Sequence, residues 1–193
     1  MEEQIMNMPA VALSGLTILP GMIAHFDISR ERSLRAVEEA MEQDQKIYLV
    51  TQRNVDSEDP TQEDLYQMGI VADIKQVVRL QNDVVRILVD GISRAALLGF
   101  TGNEKYLEAE ICYCDSNADS LPDDLRAAML LGVREAFHRY AAVVGKISKE
   151  LIRQIDQYED LEKLIDYVTN NLPVSYELKQ QVLEAEDIND RYQ

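Results

Sequence analysis

Apolar residues in the first part of the chain mostly alternate with polar ones, and beyond Asp115 to Pro122 they recur every three or four positions. The first spacing is that of a strand with one buried face, the second that of a helix with one buried stripe. The chain therefore reads as α+β: a β-rich subdomain over residues 1–116, then an all-helical subdomain over residues 117–193. Ile70, Ala72, Ile74, Val78 and Leu80 predict one buried strand face, with Asp73, Lys75 and Arg79 on the other. Gln81-Asn82-Asp83 supplies turn residues, and Val85, Ile87 and Val89 continue the buried set on a return strand. Asp90-Gly91 predicts a sharp turn into a further strand, Ile92 to Phe100, followed by another from Tyr106 to Cys114. Ala10 to Leu13, Met22 to Ile28 and Ile47 to Val50 are three more short apolar runs. Short strands bounded by Gly, Pro and Asn point to a small barrel or sandwich.

One helix interrupts the strands. Ser29 is its expected cap, Glu31 suits the positive end of the helix dipole, and Leu34, Val37 and Met41 form its stripe. Thr61 and Asp64 look like a capping pair for a single helical turn that Gly69 stops. In the second part Pro122-Asp123-Asp124 marks a helix start. Leu125, Met129, Val133, Phe137, Tyr140 and Val144 form its stripe until Gly145. Leu161, Leu164, Ile165, Val168 and Leu172 make a second amphipathic set that ends at Pro173. Ser175 caps a last helix with Leu178, Val182 and Leu183.

Composition narrows what such a fold is for. At 193 residues and 46% hydrophobic content the chain has enough apolar material for a real core. Its net charge of −16 repels phosphate backbones and argues against nucleic acid as the main partner. No stretch approaches the roughly 20 apolar residues of a membrane helix, and the start, Met1-Glu2-Glu3-Gln4, is acidic where a signal peptide is basic. A cytoplasmic protein with no membrane partner is expected. Cys112 and Cys114, the two cysteines, sit too close along one strand for an unstrained bridge, so reduced thiols are expected.

Catalytic chemistry has little to stand on. Gly145-Lys146 lacks the glycine-rich run of a phosphate-binding loop and reads as a helix end. Gly91-Ile92-Ser93-Arg94-Ala95 comes near a nucleophile elbow but ends in Ala and lies between two strands. His25 and His138, the two histidines, have no acid cluster at ligand spacing, which argues against a zinc site. Asp123-Asp124 and Glu159-Asp160 are explained by solvated helix starts. No catalytic residue, metal ligand or cofactor of this chain emerges, and a binding module is favoured.

The ordered series of segments is more telling than any one of them. Leu19-Pro20-Gly21-Met22, Ser29-Arg30-Glu31-Arg32-Ser33, Val37-Glu38-Glu39-Ala40-Met41 and Ile47-Tyr48-Leu49-Val50-Thr51-Gln52 resemble the N-terminal domain of the Lon family of ATP-dependent proteases. Asp59-Pro60-Thr61, Gly69-Ile70-Val71-Ala72, Asp90-Gly91-Ile92-Ser93-Arg94-Ala95 and Lys179-Gln180-Gln181-Val182-Leu183-Glu184 follow in register, so the resemblance spans essentially the whole chain. Two segments depart from the family: Ala12-Leu13-Ser14 stands where Pro-Leu-Arg is usual, and Gln81-Asn82-Asp83 where Pro-Asp-Gly is common.

The resemblance implies a six-stranded PUA-like pseudobarrel with one packed helix, followed by a helical bundle. It implies capture of unfolded, damaged or degron-bearing proteins for an AAA+ motor and a Ser-Lys protease chamber, parts of the same polypeptide that lie outside this sequence. In that parent, ATP and magnesium serve the motor and the assembly is a homohexamer; a fragment is expected as monomer or dimer. The chain stops at Asp190-Arg191-Tyr192-Gln193, inside the pattern leading to the family's neck helix, so a piece of a larger protease is expected. The alternative is a free-standing Lon-domain binding or regulatory protein. Such relatives usually carry a Phe-Glu-Pro-Arg-Tyr-like stretch where this chain has Phe26-Asp27-Ile28-Ser29-Arg30.

Capture of unfolded chains calls for exposed apolar side chains. The candidates are Leu19, Pro20, Met22, His25, Val78 and Leu80, at strand ends and near the hairpin tip, with Met22 favoured for its flexible thioether. Arg30, Glu31, Arg32 and Arg35 crowd the helix start as candidate readers of charged degrons. Pro20-Gly21 is expected to bend one strand round the barrel.

Overall fold

A computed structural model describes residues 5–114 and 121–193. Its strands are β1 (Ile5–Leu13), β2 (Ile23–Ile28), β3 (Lys46–Thr51), β4 (Met68–Arg79), β5 (Val85–Phe100) and β6 (Glu108–Tyr113). They form one sheet in the order β2-β5-β4-β3-β1-β6, and β6 also pairs with β5. Five strands thus close a ring, and β2 lies outside it along the first half of β5. All pairings are antiparallel except β1 with β3. The six-stranded pseudobarrel is the observed architecture, with helix α1 (Glu31–Glu42) against β1 and β3.

Closure depends on β5, which the sequence pattern divides in two. No turn occurs at Asp90-Gly91; a single strand runs from Val85 to Phe100, its first half paired with β2 and its second with β6. The glycine is there for proximity. A Cβ at Gly91 would lie 2.5 Å from the Leu19 carbonyl oxygen and 2.9 Å from the Ile70 Cδ1. Gly69 likewise stops no helix but sits within β4, where a Cβ would lie 2.5 Å from both the Leu49 carbonyl and the Tyr48 hydroxyl.

Pro20-Gly21 does not bend a strand. The Met22 N–H donates to the Leu19 carbonyl at 3.1 Å and Gly21 has φ of +73°, a turn of the kind that takes Pro and then Gly at its centre. At the other hairpin, Asn82 and Asp83 are both left-handed, with φ of 60° and 58°, the handedness that matches the twist of antiparallel strands.

Thr61 and Asp64 do close a single 3-10 turn, Gln62–Asp64, the Thr61 N–H donating to the Asp64 carboxylate at 2.8 Å. Helix α1 departs from its expected cap and stripe. Arg30, not Ser29, is its N-cap residue, with no side-chain acceptor over the first turn. Its buried face is Ser33, Ala36, Val37 and Ala40; Leu34 is half-buried and Met41 exposed. Small residues let the helix backbone approach the sheet, and the larger ones flank the contact.

The chain divides into two compact units. The first joins residues 5–114 to Ser175–Glu184, the second joins residues 121–174 to Ala185–Gln193. Helix α5 (Tyr176–Glu184), read from sequence as part of the C-terminal bundle, thus belongs with the barrel. Its buried Leu183 packs with Leu19 and Met68. Gln180, also buried, donates to the Met68 carbonyl at 2.9 Å and accepts from the Thr17 hydroxyl at 3.2 Å.

The second unit contains α2 (Asp123–Val144), α3 (Lys149–Gln157), α4 (Leu161–Asn171) and α6 (Ile188–Tyr192). Its core gathers Phe137, Ala141, Ile155 and Leu164. Gly145 ends α2 in the left-handed conformation as expected, but Leu125 and Val144 at its two ends are exposed. Helices α3 and α6 are not among the elements expected from the sequence; Ser148 and Asp187 cap them, accepting from the Leu151 and Asn189 N–H groups.

Candidate functional site

The outward face of β2, β5 and β4 is where exposed apolar side chains meet. In β4 the register shifts between Ile74 and Gln76, so Lys75 is an extra residue and the alternation inverts beyond it. Val77 therefore pairs with the buried Ile87, while Val78 pairs with the exposed Arg86. The expectation that Val78 shares the face of Ile70, Ala72 and Ile74 is corrected by this bulge. Directly paired residues on antiparallel strands point to the same side. Three rows follow across the face: Ile23, Asp90, Asp73; His25, Leu88, Gln76; and Asp27, Arg86, Val78.

His25, Gln76, Val78, Arg86 and Leu88 line a shallow concavity of about 270 Å³. Ile23 is 66% exposed, Val78 39% and Leu80, just beyond the strand, 40%. The charges on the face are largely internal pairs. Arg86 binds the Asp27 carboxylate through two hydrogen bonds, 2.7 and 2.9 Å. Those bonds hold the Asp27 carboxyl below the usual carboxylate range and raise the Arg86 guanidinium. Lys46 binds Asp73 at 2.9 Å, which lowers the Asp73 carboxyl and raises the Lys46 ammonium in the same way. With these charges matched, the face offers apolar contact more than a net field. Strand β2 has one strand neighbour among the described residues, so its outer edge carries unpaired backbone groups.

The expected contact residues divide. His25, Val78 and Leu80 lie on or beside this face and are exposed. Leu19 is corrected: it is wholly buried with Met68 and Leu183, because the turn after it brings it beneath Gly91. Pro20 is half-buried, and Met22 is half-buried against the barrel core. Ile23 and Leu88 were not singled out from sequence. Their signal was present, since inward Ala24, Phe26 and Ile28 oblige Ile23, His25 and Asp27 to face outward.

The charged candidates gather at the start of α1. Glu31 and Arg35 pair with each other across one helical turn at 2.5 Å. Arg30 donates to the Gln52 side-chain oxygen at 2.9 Å and the Ser57 carbonyl at 3.0 Å, and Arg32 donates to the Asn103 carbonyl at 3.1 Å. Among the described residues no group of three or more His, Cys, Asp or Glu side chains is placed to hold a metal, and no helix is long and apolar enough to cross a membrane. The Cys112 and Cys114 thiols are both half-buried.

The family model described as "ATP-dependent protease La (LON) substrate-binding domain" matches residues 7–193. The Lon protease of Lachnoclostridium phytofermentans is 34% identical over 193 residues, all of this chain and 24% of that protein. Lon protease 1 of Bacillus subtilis is 30% identical over 98% of this chain and 24% of its own length. The chain thus spans about a quarter of the length of the curated relatives it matches. Among solved structures, the N-terminal domain of the Mycobacterium avium complex Lon protease superposes with a TM-score of 0.79 at 18% identity, covering 97% of this chain and 94% of that one. A Lon N-terminal domain protein from Xanthomonas campestris gives 0.64 at 13% identity, covering 96% and 94%. The matched family model and the relatives agree: the chain belongs to the substrate-binding domain family of the ATP-dependent protease La, or Lon.

Proposed function

We propose that this chain captures unfolded or degron-bearing polypeptides for a Lon-type ATP-dependent serine protease, passing them to an AAA+ motor and a Ser-Lys protease chamber in the same polypeptide. The observation that carries this reading is the outward face of β2, β5 and β4, where Ile23, Leu88 and Val78 lie on neighbouring strands around a concavity. An unfolded chain differs from a folded one in offering apolar side chains and free backbone groups together. An apolar sheet face beside an open strand edge meets both. The −16 charge keeps such a face soluble, and the Asp27–Arg86 pair keeps it from repelling chains of either sign. In the whole protease the proposed assembly is a homohexamer, ATP and magnesium serve the motor, and the compartment is the cytoplasm.

The test is binding of the purified chain to one labelled protein, in its folded form and in its reduced, carboxymethylated form, at low and high salt. Selective capture of the unfolded form that survives salt is expected, and Val78→Asp and Ile23→Asp should each weaken it at least fivefold with unchanged circular dichroism. Equal binding to both forms, or indifference to both substitutions, would sink the assignment to this face.

A further inference from the structure

The open edge of β2 resolves into individual backbone groups. The Gly91 N–H donates to the Met22 carbonyl at 2.9 Å, and that pair continues as Ile23 with Asp90, Ala24 with Val89 and onward to Ile28 with Val85. Hydrogen-bonded pairs alternate along an antiparallel ladder. Ala24, Phe26 and Ile28 therefore direct their N–H and C=O groups at β5. Those of Ile23, His25 and Asp27 point away from it, and among the described residues none of them has a hydrogen-bond partner.

This edge is also unguarded. Proteins blunt an exposed edge with Lys, Pro or a bulge, each of which hinders a further strand from pairing. Ile23-Ala24-His25-Phe26-Asp27-Ile28 holds neither Lys nor Pro, and its pairing with β5 runs without a register shift. Its one carboxylate, Asp27, is already bound by Arg86. Strand β4 is treated differently: where it outruns β3 beyond Asp73 it carries the bulge at Lys75 and the basic side chains of Lys75 and Arg79. There is room beside β2 as well. A concavity of about 220 Å³ lies along Phe26, Asp27 and Ile28, with Leu13 and Leu16 also in its wall.

We propose that β2 takes up an extended segment of a captured polypeptide as a further strand, bonded to the backbone of Ile23, His25 and Asp27. The segments it selects are neutral or basic and carry a free N–H at every second residue. The second requirement follows from strand geometry, in which alternate N–H groups face the neighbour and proline has none to offer. The first follows from charge, since acids outnumber Lys and Arg 35 to 19 in the chain. The same charge disfavours a second copy of this chain as the occupant, because each copy brings −16 to the contact. That the strand comes from a captured polypeptide rests on the reading of the domain as a polypeptide receptor; that a strand pairs here rests on the edge itself.

The test combines the ¹⁵N-labelled chain with an N-acetylated, C-amidated heptapeptide, Lys-Val-Thr-Val-Thr-Val-Lys, and reads amide hydrogen exchange by NMR. Saturating peptide is expected to slow exchange of the Ile23, His25 and Asp27 amides at least tenfold, while those of Ala24, Phe26 and Ile28, already bonded to β5, change little. Two N-methylated forms keep every side chain, one methylated at the second and fourth residues and one at the third and fifth. One form should bind at least tenfold more weakly than the parent peptide and the other within twofold of it. Exchanging both lysines for glutamate should weaken binding at least threefold at low salt. His25→Pro removes an edge N–H and no bond to β5, and should weaken binding at least fivefold more than His25→Ala, both variants being checked for fold by circular dichroism. Val78→Asp alters the apolar face and leaves the edge in place, so the dependence on alternate N–H groups should persist in it. Capture of unfolded protein that Val78→Asp abolishes, with no slowed exchange at the three amides, would leave the face standing and overturn the edge. No binding of the parent peptide, or equal effects of the two methylated forms, overturns it too. Slowed exchange in the free chain that grows with its concentration would assign the edge to a second copy and overturn the choice of a captured polypeptide.

Discussion

Single residues hold this barrel closed, and the glycines show it most directly. Gly91 sits under the Leu19 carbonyl, a backbone atom that has no rotamer to yield. Gly91→Ala is therefore expected to destabilise the chain by about 1 to 3 kcal/mol, the usual cost of forcing volume into a packed core. The check is the urea midpoint, which should fall with little change in slope; an unchanged midpoint would mean the contact is not there. Asp90-Gly91 stands out in the sequence as a turn, yet the chain runs straight through it. Glycine serves turns and close approaches alike, and only the three-dimensional neighbour distinguishes them. The same holds for Leu19, whose apolar character was plain but whose burial depends on Gly91 of the distant strand β5 and on helix α5.

At the scale of elements, the β4–β5 hairpin carries the candidate face, and two local devices set its geometry. The bulge at Lys75 turns Val78 outward, and the turn at Asn82-Asp83 fixes the pairing from Arg79 with Val85 onward. Asn-Gly is the preferred pair where both central residues are left-handed, and a non-glycine residue there is strained. Asp83→Gly is expected to raise stability by a few tenths to about 1 kcal/mol, less than the full strain because glycine also loosens the unfolded chain. A lowered urea midpoint would show that this turn is not in that conformation. The hairpin itself was legible from Val85, Ile87, Val89 and the turn residues. The bulge was not, since an inserted residue leaves no compositional mark and its cost is set by the partner strand. For α1 the periodicity located the helix to within a residue or two. Of its expected stripe Val37 is buried, but close packing put the small residues Ser33, Ala36 and Ala40 beside it in place of Leu34 and Met41.

At the scale of the molecule, the two compact units are not two stretches of sequence. The chain leaves the barrel after its last strand and returns as α5 before ending among the helices. Gln180 ties that return with two buried hydrogen bonds, to the Met68 carbonyl and the Thr17 hydroxyl. Gln180→Ala leaves both groups without this partner and is expected to cost about 1 to 3 kcal/mol. Thermal unfolding of the variant against the parent chain checks it. An unchanged melting temperature would mean that α5 contributes little to the barrel's stability. The amphipathic pattern of α5 did not reveal its allegiance, because Leu183 and Val182 suit a bundle and a barrel equally.

The sequence by itself determined the α+β class, the hairpin, most helix locations, the absence of recognisable catalytic motifs and the resemblance to Lon N-terminal domains. These follow from local periodicity, turn chemistry and the order of segments, all of which are written along one dimension. Only the tertiary structure decided that β5 is a single strand shared by β2, β4 and β6, that Val78 and not Leu19 is exposed, and that β2 lies at an open edge of the sheet. Those outcomes depend on which distant backbone passes within a few ångströms of a given side chain, a quantity that burial patterns along the chain do not contain.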